Sequence, residues 1–160
     1  ERNRLGKGGL QALARSPHLR GLTRLSVSHD RYAHTVAGLA EFLRALDLPN
    51  LRHLALGGLP VGVSGAKALA QSPAFARLAR LNLNFGRIGD SGLAALAGSP
   101  HLVGLISVEL FQNRLGAGAR VLADRAVWPL LSACVLGHNP IPRPVAKQIA
   151  QRPGLDGVAE

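Results

Sequence analysis

The sequence predicts an α/β fold in which short strand–turn–helix units stack into a solenoid, with a curved parallel sheet on the concave side and helices on the convex side. Three observations predict it. A leucine pattern recurs five times at nearly constant spacing, each recurrence is followed by apolar residues at helical spacing, and proline-containing breakers close the helical stretches. One such unit cannot bury both its strand and its helix side chains. Stacked units can, at about 1.5–3 kcal/mol for each fully buried large apolar side chain.

The strands come first. Leu22-Leu25-Val27, Leu51-Leu54-Leu56, Leu78-Leu81-Leu83, Leu105-Val108-Leu110 and Leu131-Cys134-Leu136 share an L-x-x-L-x-L pattern, with first members 29, 27, 27 and 26 residues apart. Inward positions such as Leu25/Val27 and Leu81/Leu83 alternate with the period of 2 that a short strand requires. Eight residues after each first member come Asp30, Leu59, Gly86, Asn113 and Asn139, and two further on Tyr32, Val61, Ile88, Leu115 and Ile141. Asn3 and Leu5 repeat that last pair ahead of the first strand. An inward Asn can hydrogen-bond the backbone of an adjacent turn, each bond contributing about 1 kcal/mol net. Leu59 and Gly86 cannot, so the middle turns are expected to be the less regular ones.

The helices follow. Leu10/Leu13/Ala14, Leu39/Phe42/Leu43, Ala66/Leu69/Ala70, Leu93/Leu96/Ala97, Ala119/Leu122/Ala123 and Ala146/Ile149/Ala150 all fall at i, i+3, i+4. Ser16-Pro17, Ser72-Pro73 and Ser99-Pro100 end helices in register, and Pro49 and Pro129 act similarly. The turn leading to each helix is 7 residues long in four cases, 6 from Asn113 to Ala119, and 9 from Asp30 to Leu39. A two-residue insertion therefore falls within Arg31–Ala37, a stretch that includes Tyr32 and His34. Insertions in such arrays map to surface loops.

This pattern resembles the leucine-rich repeat family, and the resemblance covers essentially the whole chain. The family's L-x-x-L-x-L-x-x-N-x-L is met almost fully at Leu105 to Leu115 and at Leu131 to Ile141, while Asp30, Leu59 and Gly86 depart at the asparagine position. The repeat length and helical second half are similar to the ribonuclease-inhibitor-like subfamily. The closing stretch Gly137-His138-Asn139-Pro140-Ile141 resembles the last turn of bacterial proteins of this kind. The resemblance implies protein binding and, as in some relatives, GTPase regulation, although no particular finger arginine stands out.

At 160 residues, 47% hydrophobic and 18% charged, the chain is expected to form a single domain, 1–160, with a continuous core. It opens in mid-turn at Asn3-Arg4-Leu5, which suggests the C-terminal part of a longer protein or an end-to-end self-contact at the N-terminal edge. No apolar run approaches the 18 or so residues of a membrane span. The expected location is the cytoplasm.

The candidate chemistry is thin. The lone Cys134 rules out an intrachain disulfide, and its inward slot marks it as a small buried hydrophobe. His18 and His101 occupy equivalent slots after Ser-Pro, and His29 and His34 are too loosely spaced for a helical metal pair. No acidic or cysteine cluster completes a tetrahedral site. Gly6-Lys7-Gly8-Gly9 and Gly116-Ala117-Gly118 lack the phosphate-loop pattern, and nine carboxylates form no evident acid–base pair. The chain is therefore read as a non-enzyme with no cofactor and no metal.

What the fold offers is a face. Residues alternating with the buried leucines form rows across the strands: Arg24, His53, Arg80, Ser107 and Ala133; then Ser26, Ala55, Asn82, Glu109 and Val135; then Ser28, Gly57, Asn84, Phe111 and Gly137. Arg24, His53 and Arg80 would lie side by side at about 4.8 Å per strand. Asn82 and Asn84 extend this site with amide donors and acceptors, and Phe111 beside Glu109 offers an aromatic anchor. Arg143 and Arg152 lie away from the face and serve as neutral positions for comparison.

The leading expectation is a protein-interaction module or scaffold whose partner, with acidic groups, binds this face. The alternative is a polyanion, nucleic acid or an anionic surface, drawn by the net charge of +10. It ranks lower because the 16 Arg and 3 Lys are scattered over strands, turns and helices and only six aromatic residues are present to stack on bases. Nucleic acid thus ranks below a protein partner, and GTPase-regulator-like adaptor activity comes third.

Overall fold

Short strands with a buried middle residue alternate along the chain with helices whose apolar stripes face the same core. The computed structural model describes residues 6–27, 35–155 and 157–159. In chain order these form α1 (Gly6–Arg15), β1 (Arg24–Ser26), α2 (Val36–Ala45), β2 (His53–Ala55), α3 (Gly62–Gln71) and β3 (Arg80–Asn82). There follow α4 (Gly89–Ala97), β4 (Ser107–Glu109), a 3-10 helix (Ala117–Ala123), β5 (Ala133–Val135), α5 (Arg143–Ala150) and β6 (Gly157–Ala159). The strands form one parallel six-stranded sheet in sequence order. Asn3, Leu5, Ser28, His29, Asp30, Tyr32 and His34 lie outside the described residues, as does most of the expected insertion.

The core joins both layers. Strand residues Leu25, Leu54, Leu81, Val108 and Cys134 and helix residues Leu39, Leu69, Leu93, Leu122 and Ile149 belong to one buried cluster. Helix boundaries follow local chemistry. Thr35 caps α2 by accepting a hydrogen bond from Gly38 N at 3.0 Å, and α1 and α3 stop at Ser16-Pro17 and Ser72-Pro73. At each of those pairs proline opens a short 3-10 turn. Ser99, at the third pair, donates its hydroxyl to Ala70 O at 2.6 Å.

Four expectations need correction. The Ala119/Leu122/Ala123 stripe forms a 3-10 helix, since an i, i+3 repeat also suits three residues per turn. Its short entry is pinned by Asp90, whose carboxylate accepts from Gly116 N at 2.7 Å and Gly118 N at 2.9 Å. In α5 only Ile149 is buried, while Ala146 and Ala150 are exposed, because α5 packs on the 3-10 helix alone among the helices. A sixth strand, β6, pairs Val158 with Cys134, so Leu155-x-x-Val158 continues the leucine pattern 24 residues after Leu131.

The fourth correction concerns the middle turns, which are not less regular. Gly58, Phe85, Gln112 and His138 hold the same place in four turns, and all have φ between 53° and 82°. Main-chain bonds join these turns whatever the side chain: Gly58 N to Asn84 O, Phe85 N to Phe111 O, and Gln112 N to Gly137 O, at 2.8–3.0 Å. Asparagine adds to this scaffold. Asn113 donates to Leu83 O at 2.8 Å and accepts from Ile88 N at 3.3 Å, so it serves the Gly86 turn from the neighbouring unit. Asn139 likewise donates to Leu110 O at 2.8 Å and accepts from Asn113 N and Leu115 N. Gly86 is small for a reason: a Cβ there would sit 2.7 Å from Leu83 O and 3.1 Å from Asn113 Oδ1.

Candidate functional site on the outward face of the sheet

Strand alternation buries the middle residue of each of β1 to β5 and leaves its two neighbours half-buried or exposed on the other side. The pairing register sets Arg24 opposite His53, His53 opposite Arg80, Arg80 opposite Ser107, and Ser107 opposite Ala133. The three basic residues expected in one row therefore lie in one row. Arg24 and Arg80 are exposed and His53 is partly so, and no acid among the described residues pairs with any of them. Partial burial, then the positive charges of Arg24, Arg80 and Arg52, push the His53 pKa below its ordinary value. Arg24 and Arg80 therefore place two positive charges on this row with an imidazole between them.

The second and third rows are a wired network. Asn82 Nδ2 and Asn84 Nδ2 both donate to Glu109 Oε2, at 2.5 and 2.8 Å. Asn82 Oδ1 accepts from Asn84 N, and Asn84 Oδ1 accepts from Phe111 N. Asn82 and Asn84 are thus not the freely available donors and acceptors the sequence suggested. They hold Glu109 in place and fix the main chain that presents Phe111.

Phe111 does not stand alone either. Its ring meets that of Phe85 at 5.3 Å, edge-on, and that of His138 at 4.7 Å. Phe85 remains 43% exposed. Neither Phe85 nor His138 was legible as a site residue, because both sit at positive φ in turns, outside the strand alternation that picked out Phe111. A groove of about 460 Å³ crosses the face, bordered by Arg24, His53, Arg80 and Glu109 and floored by small side chains such as Ala55 and Ser107.

Elsewhere the chemistry is structural. Cys134 is fully buried, and burial pushes its thiol up to about 12. No group of three or more His, Cys, Asp and Glu residues suited to a metal ion occurs among the described residues. No helix among them is long and apolar enough to cross a membrane. Arg152, away from the face, is buried, and its guanidinium donates to Leu122 O, Val127 O and Trp128 O at 2.7–2.8 Å, so changing it would disturb the core. Arg143 is exposed. Compared with protein-family models and with curated proteins, the chain gives no match.

Proposed function

We propose that the chain is a leucine-rich-repeat solenoid of the ribonuclease-inhibitor-like kind and a non-enzymatic interaction module, binding a protein partner with acidic groups on the outward, concave face of its sheet. Sequential strand order, the turns of matching φ and the asparagines at Asn113 and Asn139 support the repeat reading. The observation that carries the function is the register-locked row Arg24–His53–Arg80, cationic and lacking an acidic partner among the described residues. Arginine forks pair bidentately with carboxylates, and arginine is enriched among the residues that dominate interfaces.

The test reverses the row. Partners cross-linked to the wild-type chain should be lost with Arg24→Glu/Arg80→Glu and kept with Gln71→Ala/Arg120→Ala, two exposed residues on the helix side. The opposite pattern removes the sheet face from the function. Binding to duplex DNA should fade near about 0.15 M salt, because log K falls by about 0.9 per neutralised phosphate for each unit of log salt. Tight, sequence-independent DNA binding that survives there replaces the protein partner with a polyanion.

A further inference from the structure

The face has two ends of different chemistry, and together they define a ligand. At one end, on β1 to β3, is the cationic row. At the other, where the chain leaves β3, β4 and β5, is the aromatic row of Phe85, Phe111 and His138. Between them lies Glu109, the one carboxylate on the strands of this face, held by two amides. From the basic row to Phe111 is four residues along a strand and one strand across from Arg80, at most about 14 Å. An extended peptide covers that span in about four residues.

We infer that this face reads an extended acidic segment of a partner protein, with an aromatic or large aliphatic side chain about four residues from its carboxylates. The proposal rests on the protein-binding reading above and specifies its partner. Three observations favour it over other occupants. The anchors are too far apart for one small anion to reach both. Small side chains such as Ala55 and Ser107 beside the basic row let a main chain lie close to the sheet there. A phosphodiester strand joining the two ends would carry its repeating charge over Glu109, whereas a peptide places carboxylates only at the arginines and crosses Glu109 with neutral residues. The aromatic end supplies apolar burial that the arginine row lacks, and Asn84, bonded to both Glu109 and the Phe111 main chain, fixes the relation between the two ends.

The test is selection from a library of random peptides of about twelve residues, long enough to exceed the span, displayed to the whole chain and to two variants. Enriched peptides are expected to pair acidic residues with an aromatic or large aliphatic residue at the stated separation. On Arg24→Glu/Arg80→Glu the acidic feature should disappear. On Phe85→Ser the apolar feature should weaken, and on Phe111→Ser vanish; Phe85, the more exposed ring, keeps the test sound should Phe111→Ser fail to fold. A synthetic enriched peptide should lose about tenfold or more in affinity when its spacer is cut to one residue or its acids become amides. Acidic peptides without the apolar residue, or with no preferred spacing, overturn the two-ended inference and leave the basic-row reading standing. Peptides that enrich equally on the charge-reversed variant, or enrichment that shows no acidic preference, overturn both. Displacement of the peptide by a single-stranded DNA oligonucleotide of higher affinity at physiological salt also overturns both.

Discussion

Among the described residues the buried side chains up to residue 98 are apolar; beyond it they include Ser99, Asn113 and Arg152. The two halves differ in what lies opposite the sheet. The earlier half is covered by α2, α3 and α4, nine or ten residues each, whose main chains satisfy most of their own hydrogen bonds. Between β4 and β5 there is only the 3-10 helix and then residues 124–130 without regular structure. Carbonyls there have no helical partner, and an unpaired buried carbonyl is costly. Arg152 donates to three of them, Leu122 O, Val127 O and Trp128 O, the last of which also accepts from Leu131 N. Polar burial in this protein follows irregular backbone.

The largest effect should come from Arg152→Met, which keeps apolar bulk and removes all three donors. Hydrogen bonds from charged groups contribute about 1.5–3 kcal/mol each, so a loss of about 3 kcal/mol or more is expected in urea unfolding. Exposed Arg143→Ala should stay within about 0.5 kcal/mol. Equal costs at the two arginines would break the contrast between the halves. Asn113→Ala should cost about 2 kcal/mol, because it takes the side-chain acceptor from the buried Ile88 N and removes the amide bond to Leu83 O, which keeps only Gly86 N. Gly86→Ala tests the same junction from the other side. Its Cβ would press on Leu83 O and on the Asn113 amide, at a cost of about 1–2 kcal/mol, and the penalty should shrink when combined with Asn113→Ala.

The smallest effect belongs to the sheet face and is read as affinity. His53 titrates below its ordinary 6.5 in the free chain, with Arg24, Arg80 and Arg52 as the charges around it. A bound carboxylate favours imidazolium and raises that pKa, so binding takes up a proton. Affinity for an acidic peptide should therefore rise as pH falls from about 7.5 through the bound pKa, and level off below the free one. A gain of a few fold is the scale expected for a partly exposed ion pair worth about 0.2–1 kcal/mol. His53→Gln should flatten the profile; an unchanged slope would mean that the histidine does not face the ligand.

The basic row was legible because a constant repeat converts spacing in the chain into neighbours in space. Arg24, His53 and Arg80 share an offset from their leading leucines, and parallel pairing does the rest. Features that break the period were not legible. Leu155 comes 24 residues after Leu131, off the earlier spacing, so β6 went unseen. The Asn82–Asn84–Glu109 network depends on how far side chains reach across strands, which register alone does not specify. The burial of Arg152 was not legible because nothing in the repeat offsets marks which carbonyls it meets across the chain.

Four polar side chains that donate to main-chain carbonyls point the same way along the chain, while Asp90 reaches the other way to accept from Gly116 N and Gly118 N. Ser99 donates back to Ala70, Asn113 to Leu83, Asn139 to Leu110, and Arg152 to Leu122. The array therefore has a mechanical polarity. Under a pulling load applied at the C-terminal end, peeling the last unit away withdraws Arg152 and then Asn139 from the units they clasp, so each rupture loosens the next. Peeling from the N-terminal end removes units that are clasped rather than clasping, and leaves the donors downstream engaged. One molecule should thus unzip along two different force traces, depending on which terminus is held.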